Sequence, residues 1–235
     1  MEGREIAPRQ AAPVQKTLGF TDPLQLKRLL VVGTKNEDKL REIRVLLKGL
    51  PFQALSLSDF PRCSEVLENG KTFAANADKK ARQYSRHTRA LTLADDSGLM
   101  VSALKGKPGV YSARFAGPGC TYRDNNRKLL RLLQKTPSSK RAAKFVCVMS
   151  LYENGRRVAA VRGECRGKIA FEERGKYGFG YDPVFVPKGH SKTFAEMGPH
   201  AKAGMSHRGR ALRLVRQFLQ KPADIFSNRP SRGQK

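Results

Sequence analysis

The hydrophobic pattern begins with Leu29 to Val32, a short apolar run closed by Gly33, which predicts a buried first strand. A polar stretch, Thr34 to Lys39, separates it from Leu40, Ile43, Leu47 and Leu50, whose spacing draws one apolar stripe on a helix. Ala54 to Leu57 reads as a second strand. A loop rich in Pro, Glu, Asn and Gly ends at Gly70, and Thr72 is placed to cap a helix along Phe73, Ala77, Ala81 and Tyr84. Ala90 to Ala94 is a further strand, stopped by Asp95-Asp96-Ser97-Gly98. Arg123 to Leu133 reads as a helix. Phe145, Cys147, Met149 and Leu151 alternate, and Asn154-Gly155 turns them back into Val158–Arg162, which is the signal of a hairpin. A glycine-rich loop, Gly175 to Asp182, precedes the strand Val184 to Val186, and Ser206 caps a last helix through Leu212, Val215 and Leu219. Strands and helices alternate early and a hairpin comes late, so the expected class is α/β with a mixed central sheet.

Residues 1–28 mix Pro, Gln and charge without periodicity and are read as a flexible N-terminal extension, with residues 221–235 as a basic C-terminal tail. The folded unit is expected over residues 29–220. With 39% hydrophobic and 28% charged residues the composition is globular, and neither a spanning run nor a secretory signal is present, so a cytoplasmic protein without membrane partners is expected. Cys63, Cys120, Cys147 and Cys165 are widely spaced without a CxxC pair, which disfavours a zinc ribbon or a disulfide framework.

Charge changes the picture. The chain carries +26, of which +21 lies on residues 29–220, so the basicity belongs to the folded body. Such a field attracts polyanions, whether nucleotides, nucleic acid or anionic surfaces. A basic nucleic-acid-binding protein is therefore an alternative class, although no nucleic-acid motif, zinc spacing or Trp platform accompanies the charge.

Four segments carry candidate chemistry. The Thr34–Lys39 loop occupies the place of a phosphate cradle at a helix start but lacks the Walker glycines, and a strand, loop and helix with one lysine is also structurally ordinary. Asp95-Asp96, placed at a strand's C-terminal end, suits Mg²⁺ with substrate phosphates, or equally a solvated Asp-Ser-Gly turn. Phe179-Gly180-Tyr181-Asp182 joins aromatic faces to an acid, a set able to stack on a base or simply to fill a core. Lys202, with His207 and Arg208 after Ser206, stands at the start of the last helix, where the dipole disfavours cations and an anionic or carbonyl-bearing ligand would offset the penalty.

In order along residues 29–219, the blocks Thr34-Lys35-Asn36-Glu37-Asp38-Lys39, Gly70-Lys71-Thr72-Phe73 with Asn76 and Lys80, Ala94-Asp95-Asp96-Ser97-Gly98-Leu99, Pro108 to Phe115, Phe179 to Pro183 and Ser206-His207-Arg208-Gly209 resemble the inosine triphosphate pyrophosphatase family of non-standard purine nucleoside triphosphate pyrophosphatases. The resemblance implies an elongated mixed sheet flanked by helices, two lobes with a cleft between them, and a homodimer. It implies Mg²⁺-dependent hydrolysis of dITP, ITP and XTP to the monophosphate and pyrophosphate; weak non-specific nucleic-acid binding is expected only as a side effect of the charge. By the same carry-over Asp96 is the proton acceptor and a metal contact. Ser97 and the loop residues Thr34, Lys35, Asn36, Glu37, Asp38 and Lys39 hold phosphates, with Lys80 available to neutralise them. Phe179, Gly180, Tyr181, Asp182, His207 and Arg208 hold the base, and Lys202 reaches the substrate. Some relatives place a metal-binding Glu three residues before the glycine matched by Gly70; Leu67 stands there in this chain, and Glu68 is the carboxylate at hand.

Overall fold

A computed structural model describes residues 28–220; the extension before Arg28 and the tail from Lys221 lie outside the described residues. Strand β1 (Arg28–Val32) pairs in parallel with β2 (Phe52–Ser56) and with β3 (Leu91–Val101). From β3 the sheet turns antiparallel through β4 (Ala142–Glu153), β5 (Arg156–Ile169) and β6 (Phe185–Pro187), giving six strands in the order β2-β1-β3-β4-β5-β6. The helices are α1 (Glu37–Leu47), α2 (Phe73–Thr88), α3 (Tyr122–Leu132), α4 (Phe194–Met205) and α5 (His207–Leu219).

Local chemistry explains where the helices begin. The Asn36, Thr72 and Ser206 side chains accept from Lys39, Ala75 and Gly209 backbone N–H groups, satisfying donors that an uncapped helix would strand. The stripes read from the sequence are buried: Leu40, Ile43 and Leu47 on α1, and Phe73, Ala77, Ala81 and Tyr84 on α2. The turn joining β4 to β5 puts Asn154 at φ 48° and Gly155 at φ 79°, the twist that a tight two-residue hairpin requires.

Several boundaries differ from the sequence reading. The hairpin strands run well beyond the alternating segment, and α3 starts one residue earlier, behind a Thr121/Asp124 capping box. Leu57 leaves β2 for a 3₁₀ turn, and Val184 belongs to another before β6. Helix α4 had no signal of its own, because Gly198 (φ 78°) and Pro199 kink it and blur its periodicity. The largest correction concerns β3. It does not stop at Asp95 but runs through to Val101, because Asp95 to Gly98 stay paired with Met149 to Val146 on β4. It is β1 that stops, at Val32, so the acids lie on a strand whose other edge has become free.

Two apolar cores divide at that stretch. One gathers Leu30 and Val32 of β1, Leu91 and Leu93 of β3, and the inner faces of α1 and α5. The other gathers Leu99 and Val101 of β3 with Leu129 of α3 and Leu133 just after it, Phe145, Phe185 and Phe194. Between Leu93 and Leu99 the strand is polar, and the cleft opens there between two lobes.

Helix α5 is brought against β5 at Gly163. A Cβ at that position would lie 2.1 Å from the His207 carbonyl oxygen and 2.6 Å from the Ala211 nitrogen, both backbone atoms that cannot swing aside. Gly163→Ala is therefore expected to lower stability by about 1–3 kcal/mol through overpacking. Denaturant unfolding checks this, and a variant as stable as the parent would mean that α5 is free to ride away from the sheet.

Candidate active site

The cleft has a volume of about 660 Å³ and begins where Gly33 leaves β1. Side chains alternate along β3, so Asp96 leaves the sheet on the α2 side and Asp95 on the α1 and α5 side. The register agrees, since Asp96 pairs with Val148, which packs with Phe73 and Ala77 of α2, whereas Asp95 pairs with Met149 of the α1/α5 core. The two acids thus build two different clusters.

On the α2 side, Asn76 donates its side-chain N–H to Asp96 Oδ2 at 2.9 Å. The amide is oriented by the Gly70 N–H, which donates to Asn76 Oδ1 at 2.7 Å. One turn further along α2, Lys80 Nζ meets Glu68 Oε1 at 2.5 Å. Burial raises the Asp96 carboxyl above its ordinary value; the Lys80 charge and the Asn76 hydrogen bond oppose the rise without cancelling it, and the Glu68 carboxylate adds to it. Lys80 stays charged, because the Asp95, Glu68 and Asp96 carboxylates together outweigh the effect of its own burial.

On the other side Asp95 is a fixed anion. Burial alone would raise its carboxyl, but Lys39, Arg208 and Lys80 outweigh burial and hold it far below the usual carboxylate range. Lys39 Nζ lies 3.1 Å from Asp95 Oδ2, and an Arg208 terminal nitrogen lies 3.9 Å from the same oxygen. The Ser97 hydroxyl donates to Asp95 at 3.1 Å and accepts from Arg208 at 3.0 Å. The other terminal nitrogen of Arg208 donates to Glu42 of α1, whose second oxygen accepts from Lys202 Nζ at 2.7 Å. Lys202 also donates to Asp182 Oδ2 at 2.6 Å, and that oxygen accepts from the Phe179 N–H at 2.9 Å. Lys202 Nζ and Arg208 Cζ lie 4.6 Å and 5.6 Å from the Phe179 ring centroid, within cation–π range.

His207 is buried and lies parallel to Phe145, with ring centroids 4.6 Å apart. Burial and the neighbouring Arg208 and Lys202 charges hold its imidazole well below the ordinary value, so it is neutral at pH 7. Its Nδ1, like Arg208 Nε and Asp95 Oδ1, is buried without a hydrogen-bond partner among the described residues.

Thr34, Lys35, Asn36, Lys39, Lys80, Asp96, Ser97, Phe179, Gly180, Tyr181, Asp182, Lys202, His207 and Arg208, all expected site residues, line this one cleft, and so does Glu68. Glu37 and Asp38 do not. They form the first turn of α1, where Glu37 is exposed and Asp38 pairs with Arg41 at 3.5 Å. Tyr181 is turned mainly to structure, its hydroxyl donating to the Ser112 carbonyl at 2.9 Å, and the Gly180 carbonyl is held by Asn126 at 3.1 Å. Leu67 is 72% exposed, while Glu68 meets Lys80. The sequence reading passed over Glu42 and Tyr122 altogether and gave Asn76 no role. Glu42 occupies a polar helix position with no local signal, and only its pairing with residues 160 and 166 positions away distinguishes it.

The donor set fits a hard divalent cation. Asp96 and Glu68 offer carboxylate oxygens on one wall, both close to Lys80, and Mg²⁺ is commonly held by one or two carboxylates together with substrate phosphates. No group of three His, Cys, Asp or Glu side chains suited to a metal occurs among the described residues, so an all-protein cage is not what the site offers.

The comparisons with known proteins agree with one another. A protein from Geobacter sulfurreducens named dITP/XTP pyrophosphatase is 50% identical over 190 residues, spanning 81% of this chain and 96% of its own length. One of the same name from Desulforamulus reducens is 46% identical over 192 residues, spanning 82% and 96%. The solved structure of a HAM1 protein from Coxiella burnetii superposes with a TM-score of 0.75 at 39% identity, over 82% of this chain and 98% of that one. The Ham1 family model matches residues 30–218, and with that match over most of its length this chain belongs to the Ham1 family.

Proposed function

We propose that this chain hydrolyses non-standard purine nucleoside triphosphates (dITP, ITP and XTP) to the monophosphate and pyrophosphate, and so cleanses the nucleotide pool. One observation carries the reading. A single cleft joins a buried aspartate among lysines at one end to an aromatic ring beside a donor-only guanidinium at the other. The relatives named dITP/XTP pyrophosphatase support the same substrates. Among the described residues no helix is long and apolar enough to cross a membrane.

Phosphoanhydride cleavage needs positioning and charge stabilisation more than covalent chemistry. Asp96 is the proton acceptor for the attacking water, since burial raises its carboxyl toward the range in which a general base works. Asn76 aims that carboxylate, and Lys39 and Lys80 supply positive charge for the phosphates. Asp96 and Glu68 would hold Mg²⁺, which supplies neutralisation of phosphate charge. At the other end Phe179 offers an aromatic face to the base. Arg208, always charged, can only donate hydrogen bonds. The 6-oxo group of hypoxanthine or xanthine accepts such a bond. Adenine presents an amino donor there and leaves buried donors unpaired, at about 1–3 kcal/mol each.

Pyrophosphate release from ITP, XTP and ATP, with and without Mg²⁺, tests the reading. ITP and XTP are expected to turn over well above ATP, and only with the metal; equal rates on ITP and ATP would defeat the specificity. Asp96→Asn is expected to cut turnover by about 10²–10⁴-fold, the range for loss of a general base. It is not expected to lower stability at pH 7. A carboxyl whose folded value is raised costs no stability below its unfolded value and costs most above its folded one. An Asn at position 96 removes that cost, so an unfolding midpoint equal to or above the parent's is expected.

The pH profile follows with its sign. Activity requires ionised Asp96, so kcat/KM falls as pH drops through the raised folded value. Asn76→Ala removes a hydrogen bond that lowers this carboxyl, so the acid limb is expected to move to higher pH; an unmoved limb would place the base elsewhere.

Glu42→Gln tests the base end. It loosens both Lys202 and Arg208, and a donor no longer fixed discriminates less. The ITP-to-ATP ratio of kcat/KM is expected to narrow by up to about tenfold, the equivalent of one hydrogen-bond penalty.

A further inference from the structure

Tyr122 belongs to none of the motif blocks, yet it stands at the middle of the cleft wall. It is the first residue of α3, and the reciprocal Thr121/Asp124 capping box fixes where that helix begins. Its ring lies 5.9 Å from that of Phe179, tilted by 42°. Its hydroxyl oxygen accepts from Asn36 Nδ2 at 3.2 Å. The direction of that bond is set by the other end of the amide. Asn36 Oδ1 accepts from the Lys39 N–H at 3.0 Å as the cap of α1, so the group facing Tyr122 is the NH₂. The phenol oxygen is therefore the acceptor, and its own O–H proton has no acceptor among the described residues. The side chain lines the cleft and the residue is 40% exposed, so this donor is open to a ligand.

Position then says which part of a ligand it meets. On one side Tyr122 touches Asn36, three residues from Lys39 and the phosphate-facing lysines; on the other it touches Phe179, at the base end. In a nucleotide the sugar lies between those two ends. We infer that Tyr122 binds the furanose of the substrate, with its phenolic O–H donating to a sugar hydroxyl oxygen. Accepting from Asn36 polarises the phenol and strengthens it as a donor. The assignment rests on the nucleoside triphosphate reading above and adds to it a contact that neither the motif blocks nor the Asp96 cluster contains.

A chemical double-mutant cycle tests it. Tyr122→Phe keeps the ring against Phe179 and removes only the hydroxyl, and 2′,3′-dideoxy-ITP removes both sugar hydroxyls. Loss of the bond to Asn36 affects both substrates alike and cancels in the comparison. The loss of kcat/KM on Tyr122→Phe is expected to be about three- to tenfold larger for ITP than for dideoxy-ITP, chiefly through KM, as one neutral hydrogen bond predicts. If dideoxy-ITP turns over too slowly, its inhibition constant against ITP yields the same ratio. Equal losses on both substrates, or none, would overturn the sugar contact and leave Tyr122 a bridge to Asn36. A wild-type protein inactive on ITP would overturn the nucleotide reading itself, a result distinct from the first.

Discussion

Successive side chains on a strand leave it on opposite sides, so the neighbouring acids Asp95 and Asp96 cannot serve one cluster. The whole cleft is arranged around that separation. Asp95 goes to the side of α1 and α5, where Lys39 and Arg208 hold it permanently ionised, and it anchors both. Asp96 goes to the side of α2, where Asn76 grips it and burial raises it. One carboxylate is a fixed counter-ion, and burial raises the other above its ordinary value. The early end of β1 makes this useful, because it opens the sheet edge alongside both acids while pairing with β4 still holds that stretch of β3 in the sheet.

The start of α5 follows the same logic of charge. Cations in a first helical turn oppose the macrodipole, and the sequence suggests an anionic or carbonyl-bearing ligand as the offset. The offset is already built in. Glu42 and Asp95 outweigh burial and hold Arg208 charged, while His207 sheds the problem by remaining neutral against Phe145. What a ligand is left to satisfy is smaller, namely His207 Nδ1 and Arg208 Nε, which have no hydrogen-bond partner among the described residues. Gly163 is part of this arrangement, since the absence of a side chain there brings the first turn of α5 onto the sheet.

Much of this was legible in the chain because local rules decide it. Side-chain caps at Asn36, Thr72 and Ser206, the apolar stripes of α1 and α2, and the Asn154-Gly155 turn each depend on residues within a few positions of one another. What escaped depends on contacts far apart in sequence. The polarity of Asp95 to Gly98 resembles a strand end, and only pairing with β4 carries the strand through it. Glu42 looks like any solvent-facing helix position until α4 and α5 deliver Lys202 and Arg208 to it. Glu37 and Asp38 share the polarity of their loop, but the helix begins at Glu37 and directs its first turn elsewhere. The site motifs marked segments that meet in one cleft, and the partners that surround them there could not be read from spacing.

Charge balance inside the cleft is the last consequence. The net +21 over residues 29–220 suggests a pocket of free cations, but the cations at its heart already have partners. Lys39 is paired with Asp95, Lys80 with Glu68, Lys202 with Asp182 and Glu42, and Arg208 with Glu42. The excess therefore lies largely on the outer surface, where it acts on polyanions at long range and draws them toward the cleft. A triphosphate that enters brings negative charge into a site whose lysines are already neutralised. Binding must then either pull lysines away from their carboxylates or bring a compensating cation with it. The divalent ion proposed for Asp96 and Glu68 would do both, since Glu68 would then have another partner than Lys80, and Lys80 would be left for the phosphates. The metal proposed for the reaction thus follows from the ion pairs of the cleft as much as from the chemistry of the bond that breaks.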